Sequence, residues 1–213
     1  VYKAAIGSHD DNFVTVIDFQ PYEPSYNSPA AFMASPIFDG EECIGVLAFQ
    51  MPIEKINDIM TNRMEWEQVG LGESGETYLV SEDYTLRNQS RFLIEDMENY
   101  FNMIEDIGTP KETIDKIKTF HSCIGLQEVR TEGTMSALNG ESNTKIFEDY
   151  RGVDVLSSYK PLHIKGLNWV IMSEIDKAEA FAPITRLRDQ ILFFFGVTIL
   201  IILIISFFVA CLL

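Results

Sequence analysis

The stretch Leu86-Arg87-Asn88-Gln89-Ser90-Arg91-Phe92 gathers two guanidinium groups, a hydroxyl and two side-chain amides at what reads as a strand end. Arg87 and Arg91 can hold a carboxylate through bidentate hydrogen bonds, because the planar guanidinium fork matches two carboxylate oxygens. Ser90 supplies a hydroxyl between them. The competing account is a solvated strand end with ordinary ion pairs. Asp149, Tyr150, Arg151, Asp154 and Tyr159 bring similar polar and aromatic material later in the chain. Tyr22, Tyr26 and Asn27 form a third cluster, for which loop packing is the alternative.

Other patterns carry less chemistry. Gly70-Leu71-Gly72-Glu73-Ser74-Gly75 fits G-x-G-x-x-G, but that fingerprint needs a strand before it and a helix after it. Here a strand follows, Thr77 to Ser81, so the stretch reads as a turn. His9, His121 and His163 are scattered, and no His or Cys has metal-ligand spacing. No G-x-S-x-G occurs, and acids are too abundant for any one pair to stand out as an acid–base couple. The residues point to a binding module, with no enzyme activity and no cofactor expected. Cys43, Cys123 and Cys211 allow a Cys43–Cys123 disulfide only in an oxidising compartment. A net charge of −16 argues against nucleic acid, whose phosphates need clustered Lys and Arg.

The elements that must position these residues are mostly strands. Asn12–Phe19, Ala30–Phe38, Cys43–Gln50, Thr77–Ser81, Tyr84–Ser90, Lys145–Phe147, Val153–Tyr159 and Asn168–Ser173 read as strands from their apolar content and flanking turns. Asp39-Gly40 marks a hairpin turn of a little more than two residues. Helical spacing appears after Pro52, with Ile53, Ile56, Ile59 and Met60 as its stripe. It appears again over Leu93–Ile104, over Pro110–Phe120 with Thr109 as N-cap, and over Thr131–Leu138 ending at Asn139-Gly140.

The last stretch differs. Asp176 and Glu179 have capping-box spacing at the head of a helix, and from Ile191 to Leu213 no charged residue appears. That run spans roughly 34 Å as a helix, enough to cross a hydrocarbon core of about 30 Å. A buried core helix is the alternative, although one of that length should carry a polar face. Arg186 and Arg188, upstream of the run, favour a cytoplasmic side there by the positive-inside rule, but large domains translocate regardless of such charges. The natural protein is expected to extend upstream, where an export signal would lie, and beyond Leu213.

The chain also repeats itself. Ser35-Pro36-Ile37, strand Ile44–Gln50 and Ile53-Glu54-Lys55 are echoed by Lys160-Pro161-Leu162, strand Trp169–Ser173 and Ile175-Asp176-Lys177. Two related modules, the first truncated at its start, account for this.

At this point the motifs converge. Gly72–Val80, Leu86–Phe92, Val155–Leu162 and Trp169–Ala180 together resemble the double Cache sensor regions of bacterial transmembrane receptors, over essentially the whole chain. The resemblance implies an α+β architecture of PAS-like modules, each a central antiparallel sheet flanked by helices, followed by a transmembrane helix. Residues 1–62 would be the end of the membrane-distal module, 63–175 the membrane-proximal module, and 176–213 the transmission and transmembrane helix. It further implies a small extracytoplasmic (periplasmic) ligand and anchorage in the inner or plasma membrane. Of the remaining expectations, the chain works as a homodimer, and Pro183 kinks the transmission helix. In amino-acid-binding members an Asp lies in the last distal strand, whereas this chain has Gln50 there. A membrane-anchored structural or protein-binding ectodomain without a small ligand is the rival reading.

Overall fold

The computed structural model describes residues 1–212 and divides into two compact units, Val1–Asp176 and the helix from Lys177 on. In the first unit a short helix, α1 (Tyr2–Ile6), precedes three antiparallel strands in the order β1 (Thr15–Tyr22), β2 (Ser28–Asp39) and β3 (Glu42–Gln50). Asp39 pairs with Glu42, so the β2–β3 turn is only Gly40 and Glu41, tighter than the sequence indicated. Gly40 adopts φ +59°, which a two-residue hairpin turn demands and glycine supplies without steric cost.

Helix α2 (Ile53–Met60) follows, with Pro52 at its N-cap. Ile53, Ile56 and Met60 face the core at helical spacing. Ile59 does not join that stripe and is 76% exposed. At about 100° per residue it lies roughly 120° round the helix from Ile53 and 100° from Met60.

A four-stranded antiparallel sheet in the order β4-β7-β6-β5 forms the rest of this unit: β4 (Glu76–Ser81), β5 (Asn143–Glu148), β6 (Asp154–Ile164) and β7 (Leu167–Asp176). Between β4 and β5 come α3 (Arg91–Glu95), α4 (Met97–Asp106), α5 (Lys111–Phe120) and α6 (Glu132–Leu138). This is the PAS-like α+β arrangement expected.

Several local expectations are corrected. Tyr84–Ser90 is not a strand; its β-type pairing is limited to the isolated bridges Val80–Leu86 and Thr85–Glu128. At the free edge of β4 the Leu79 carbonyl accepts from Arg87 N–H, but the Leu79 N–H donates to the side chain of Asn88, so a side chain ends the ladder. The single helix expected over Leu93–Ile104 is two. Asp96, at φ −148°, breaks it and caps α4 by accepting from Asn99 N–H. Ser90 caps α3 and Thr131 caps α6 in the same way. Pro110, not Thr109, holds the N-cap of α5. Cys43 and Cys123, for which a bridge was no more than an option in an oxidising compartment, are both free thiols.

Side-chain alternation gives the second sheet two apolar faces. Tyr78, Val80, Val155, Tyr159, Val170 and Met172 face the helical layer, packing with Tyr100, Ile104, Ile117 and Val129. Leu79, Leu167 and Trp169 face the other way, against Phe19, Ala31 and Met60 of the first sheet and its helix. Both faces are therefore core. In α6, a Cβ added at Gly133 would stand 2.4 Å from Phe147 Cζ and 2.8 Å from Met172 Cε. Gly133→Ala is therefore expected to destabilise by about 1–3 kcal/mol through overpacking, read as a lower urea midpoint. An unchanged midpoint would show that the Phe147 ring yields freely.

Strand β7 runs three residues past Ser173, to Asp176, and α7 (Lys177–Leu212) begins at the next residue. The carboxylate of Asp176 meets Arg151 at 2.6 Å. Helix α7 contains Pro183 and is long and apolar enough to cross a membrane, with a mean hydropathy of 3.0 over its most apolar window. Its large apolar side chains from Ile191 to Val209 are exposed, which is not how a core helix behaves. The repeated hairpin-into-helix step is present: β2-β3-α2 and β6-β7-α7 share it.

Candidate functional site

On the covered face of the second sheet, cross-strand pairing sets Glu76 of β4 opposite Glu174 of β7, and Glu174 opposite Ser157 of β6. All three are buried. The Tyr78 hydroxyl donates to Glu174 Oε2 at 2.7 Å. Glu76 accepts from the Arg91 backbone N–H at 2.6 Å and from the Tyr150 hydroxyl at 2.8 Å. Tyr150 has one proton and gives it to Glu76, so its 2.8 Å contact with Ser90 Oγ is a bond donated by Ser90. Burial raises the Glu76 carboxyl above its ordinary value. It raises Glu174 to about 7. Tyr78, Tyr100 and Tyr150 are pushed well up by the same desolvation and stay neutral. Glu174 Oε1, Ser157 Oγ and the Tyr159 hydroxyl are buried with no hydrogen-bond partner.

Beside this network the turn after β5 is built on one carboxylate. Asp149 Oδ1 accepts from the N–H groups of Arg151 and Val153, at 2.8 and 3.2 Å. Its Oδ2 pairs with Arg151 Nε, and Arg151 Nη2 reaches Asp176 Oδ1 at 2.6 Å. The guanidinium also lies 4.1 Å from the Phe92 ring centroid. Burial raises the Asp149 carboxyl despite the adjacent Arg151, while the carboxylates around Arg151 hold its proton more firmly than usual. Asp149 and Tyr150 line a cavity of about 510 Å³ with Thr113, Glu128, Arg130 and Glu148 among its other walls. Arg130 is paired to Glu128 and stacked 3.8 Å from the Tyr84 ring. Among the described residues no cluster of His, Cys, Asp or Glu has the makings of a metal site.

The residues singled out in the sequence fall in several places. Arg87 is buried and gives its donors to Asp18, Asp83 and Thr85. Arg91 donates to the carbonyls of Gly72 and Gly75, pairs with Glu95 at 3.0 Å and lies over Trp66. The two guanidiniums thus serve separate partners, Asp18 and Asp83 for one and the glycine-turn carbonyls and Glu95 for the other. Ser90 joins the Tyr150–Glu76 chain, and Asp149 lines the cavity. Tyr159 is buried with its ring 6.1 Å from that of Phe147. In the first sheet Tyr22 packs edge-on against Phe32, whereas Tyr26 is 90% exposed. Asn27 lines a second cavity of about 320 Å³, and Gln50 is exposed at the end of β3, opposite Phe32.

Glu76, Glu174, Tyr78 and Asp18 were not singled out. A parity count finds three of them: Glu76-x-Tyr78-x-Val80 and Val170-x-Met172-x-Glu174 put Glu76, Tyr78 and Glu174 on the same face as core residues.

The dCache_1 family model, described as a Cache domain, matches residues 4–184. The chain belongs to that family. No match was found among curated proteins. Among solved structures, it is similar to the ligand-binding domain of the Pseudomonas fluorescens chemoreceptor CtaA in complex with L-leucine (13% identity, 84% of this chain and 59% of that one, TM-score 0.45). It is also similar to that of the Pseudomonas aeruginosa PAO1 amino acid chemoreceptor PctB in complex with L-Arg (20% identity, 89% and 59%, TM-score 0.45). A third is the periplasmic sensory domain of the Campylobacter jejuni chemoreceptor Tlp1 (14% identity, 82% and 53%, TM-score 0.47). The chain spans about three-fifths or less of the length of these structures.

Proposed function

We propose that this chain is the small-molecule-sensing part of a transmembrane receptor, with residues 1–176 outside the cytoplasm and α7 crossing the membrane. Membership of the Cache family over residues 4–184 supports the sensing role. One observation supports the route of the signal: Arg151 holds both Asp149, on the wall of the 510 Å³ cavity, and Asp176, the last residue of β7. A ligand that repositions Asp149 redistributes the Arg151 contacts and shifts the residue from which α7 departs. It can do so only by the difference in its affinity for the two arrangements. Glu128, Glu148 and Asp149 outnumber Arg130 on the cavity wall, which favours a small molecule carrying an amine.

The test is a thermal-shift screen of the full chain in detergent against amines, amino acids and organic acids. An amine at about a hundred times its Kd should stabilise the native state by about 2.7 kcal/mol. Glu148→Gln, at an exposed position on the cavity wall, should weaken that amine and leave the unliganded melting point in place. No stabilising amine, or one indifferent to Glu148→Gln, would remove the cavity from the account.

A further inference from the structure

Glu76 and Glu174 are direct partners on adjacent strands, so their side chains leave the sheet about 5 Å apart. Little water reaches them, since they are 3% and 4% exposed. Their hydrogen bonds are unequal. Glu76 accepts two, from Arg91 N–H and the Tyr150 hydroxyl. Glu174 accepts one, from Tyr78, and its Oε1 has none. An ionised oxygen left bare in a dry interior is costly, and a second carboxylate opposite makes it costlier. A proton on Oε1 removes that cost. It also creates a donor facing β6, where Ser157 Oγ and the Tyr159 hydroxyl lack partners and hydroxyl oxygens accept.

We propose that Glu174 takes up a proton from the medium, and that this protonation is a second input to the domain, resetting the β4–β7 contact on the strand that runs into α7. The inference needs the continuity of β7 and α7 but no small ligand.

The charged and titratable neighbours agree with this assignment. From β4 come Glu76 and Tyr78, and from β6 Tyr159. Lys145 of β5 lies in the same cross-strand row, but its ammonium goes to Glu132 at 2.8 Å. From the turn after β5 come Asp149, Tyr150 and Arg151, the last already shared between Asp149 and Asp176. The helical layer adds Arg91, held by Gly72, Gly75 and Glu95, with Tyr100 and the Cys123 thiol, which burial pushes up to about 12. No cation in this set is left over for Glu174. Burial first, with the Tyr78 hydroxyl against it and the charges of Asp149 and Glu76 with it, brings Glu174 to about 7.

Infrared spectroscopy of the full chain in lipid vesicles reads the carbonyl stretch of a protonated carboxyl. Between about pH 8 and 6, where exposed carboxylates remain ionised, the wild type should gain one such band. Glu174→Gln should lack it, Glu174→Asp should keep it with a moved midpoint, and Glu76→Gln should lower the midpoint by about one unit. In a Trp66→Phe background the emission of Trp169, on β7 itself, should follow the same titration and lose it in Glu174→Gln. No band in the wild type, a band surviving in Glu174→Gln, or Trp169 emission flat across the titration would each overturn the proposal. So would loss of the band on adding sodium, potassium or calcium at fixed pH, which would make the pair a cation site.

Discussion

Replacing Arg87 by methionine is expected to lower the stability of the chain by about 3 kcal/mol, near the lower end of what breaking a buried ion pair costs. The side chain is 2% exposed, and Nε and Nη2 each lie 2.9 Å from an oxygen of Asp18. Nη2 also meets Asp83 at 2.8 Å. Asp18 belongs to β1 and Arg87 to the segment beside β4, so the bidentate pair joins the first sheet to the second. Methionine keeps the apolar stem and leaves Asp18 with the Ser81 hydroxyl at 2.6 Å. Asp18 and Asp83 are 24% and 49% exposed, so water recovers part of the loss and the figure stays near 3. The Arg87 hydrogen bonds outweigh desolvation and hold the Asp18 carboxyl below its ordinary value. A depressed carboxyl stabilises above its unfolded value and loses that contribution as pH falls through its folded one. The difference between wild type and variant should therefore be full at neutral pH and shrink in acid. Urea midpoints at several pH values measure it, and a double-mutant cycle with Asp18→Asn isolates the pair. A constant difference across pH, or additive single effects, would mean that Arg87 matters only through packing.

Stability should also fall as pH rises toward neutrality, the reverse of the Asp18 contribution. Glu174 goes from 4.5 in a model peptide to about 7 in the folded chain. Between those values the native state holds a proton that the unfolded chain has released, so raising the pH favours unfolding. Below about 4.5 both states are protonated and there is no penalty. Above about 7 the full penalty of about 3 kcal/mol is present. Glu174→Gln, which is neutral throughout, should flatten this slope and be more stable than the wild type at about pH 8. Denaturation midpoints across that range are the measurement. A variant with the wild-type slope would move the titration to another group, Glu76 being the first to examine.

Alternation and turn residues were enough to read most of the architecture. Thr77–Ser81 and Asn168–Ser173 lie inside β4 and β7, and the covered face of the sheet follows from their period of two. Thr131 and Pro52 mark helix starts by chemistry that acts over a few residues. Where a side chain took over a backbone role, local pattern failed. Asn88 replaced a strand partner, and Asp96 cut a continuous apolar stripe by capping. The site was less legible for a related reason. Arg87 and Arg91 are close in sequence, yet one is claimed by Asp18, sixty-nine residues away, and the other by the carbonyls of the glycine turn. Those partners exist only once the two sheets and the turn have come together, and nothing in the local sequence announces them. Asp149 was legible as polar material, but its bond to Arg151 and the reach of Arg151 to Asp176 depend on how β6 and β7 align.

The alternation of β7 also restricts how it can move. Val170, Met172 and Glu174 belong to one face of the sheet and Trp169 to the other. Sliding by a single residue would turn Trp169 into the filled core under the helices and Glu174 into the opposite apolar layer, and a two-residue step is a jump of about 7 Å that breaks every rung on both flanks. A piston-like stroke of the strand is thus closed to it. What remains to it is a change of twist or tilt shared by all four strands of the sheet.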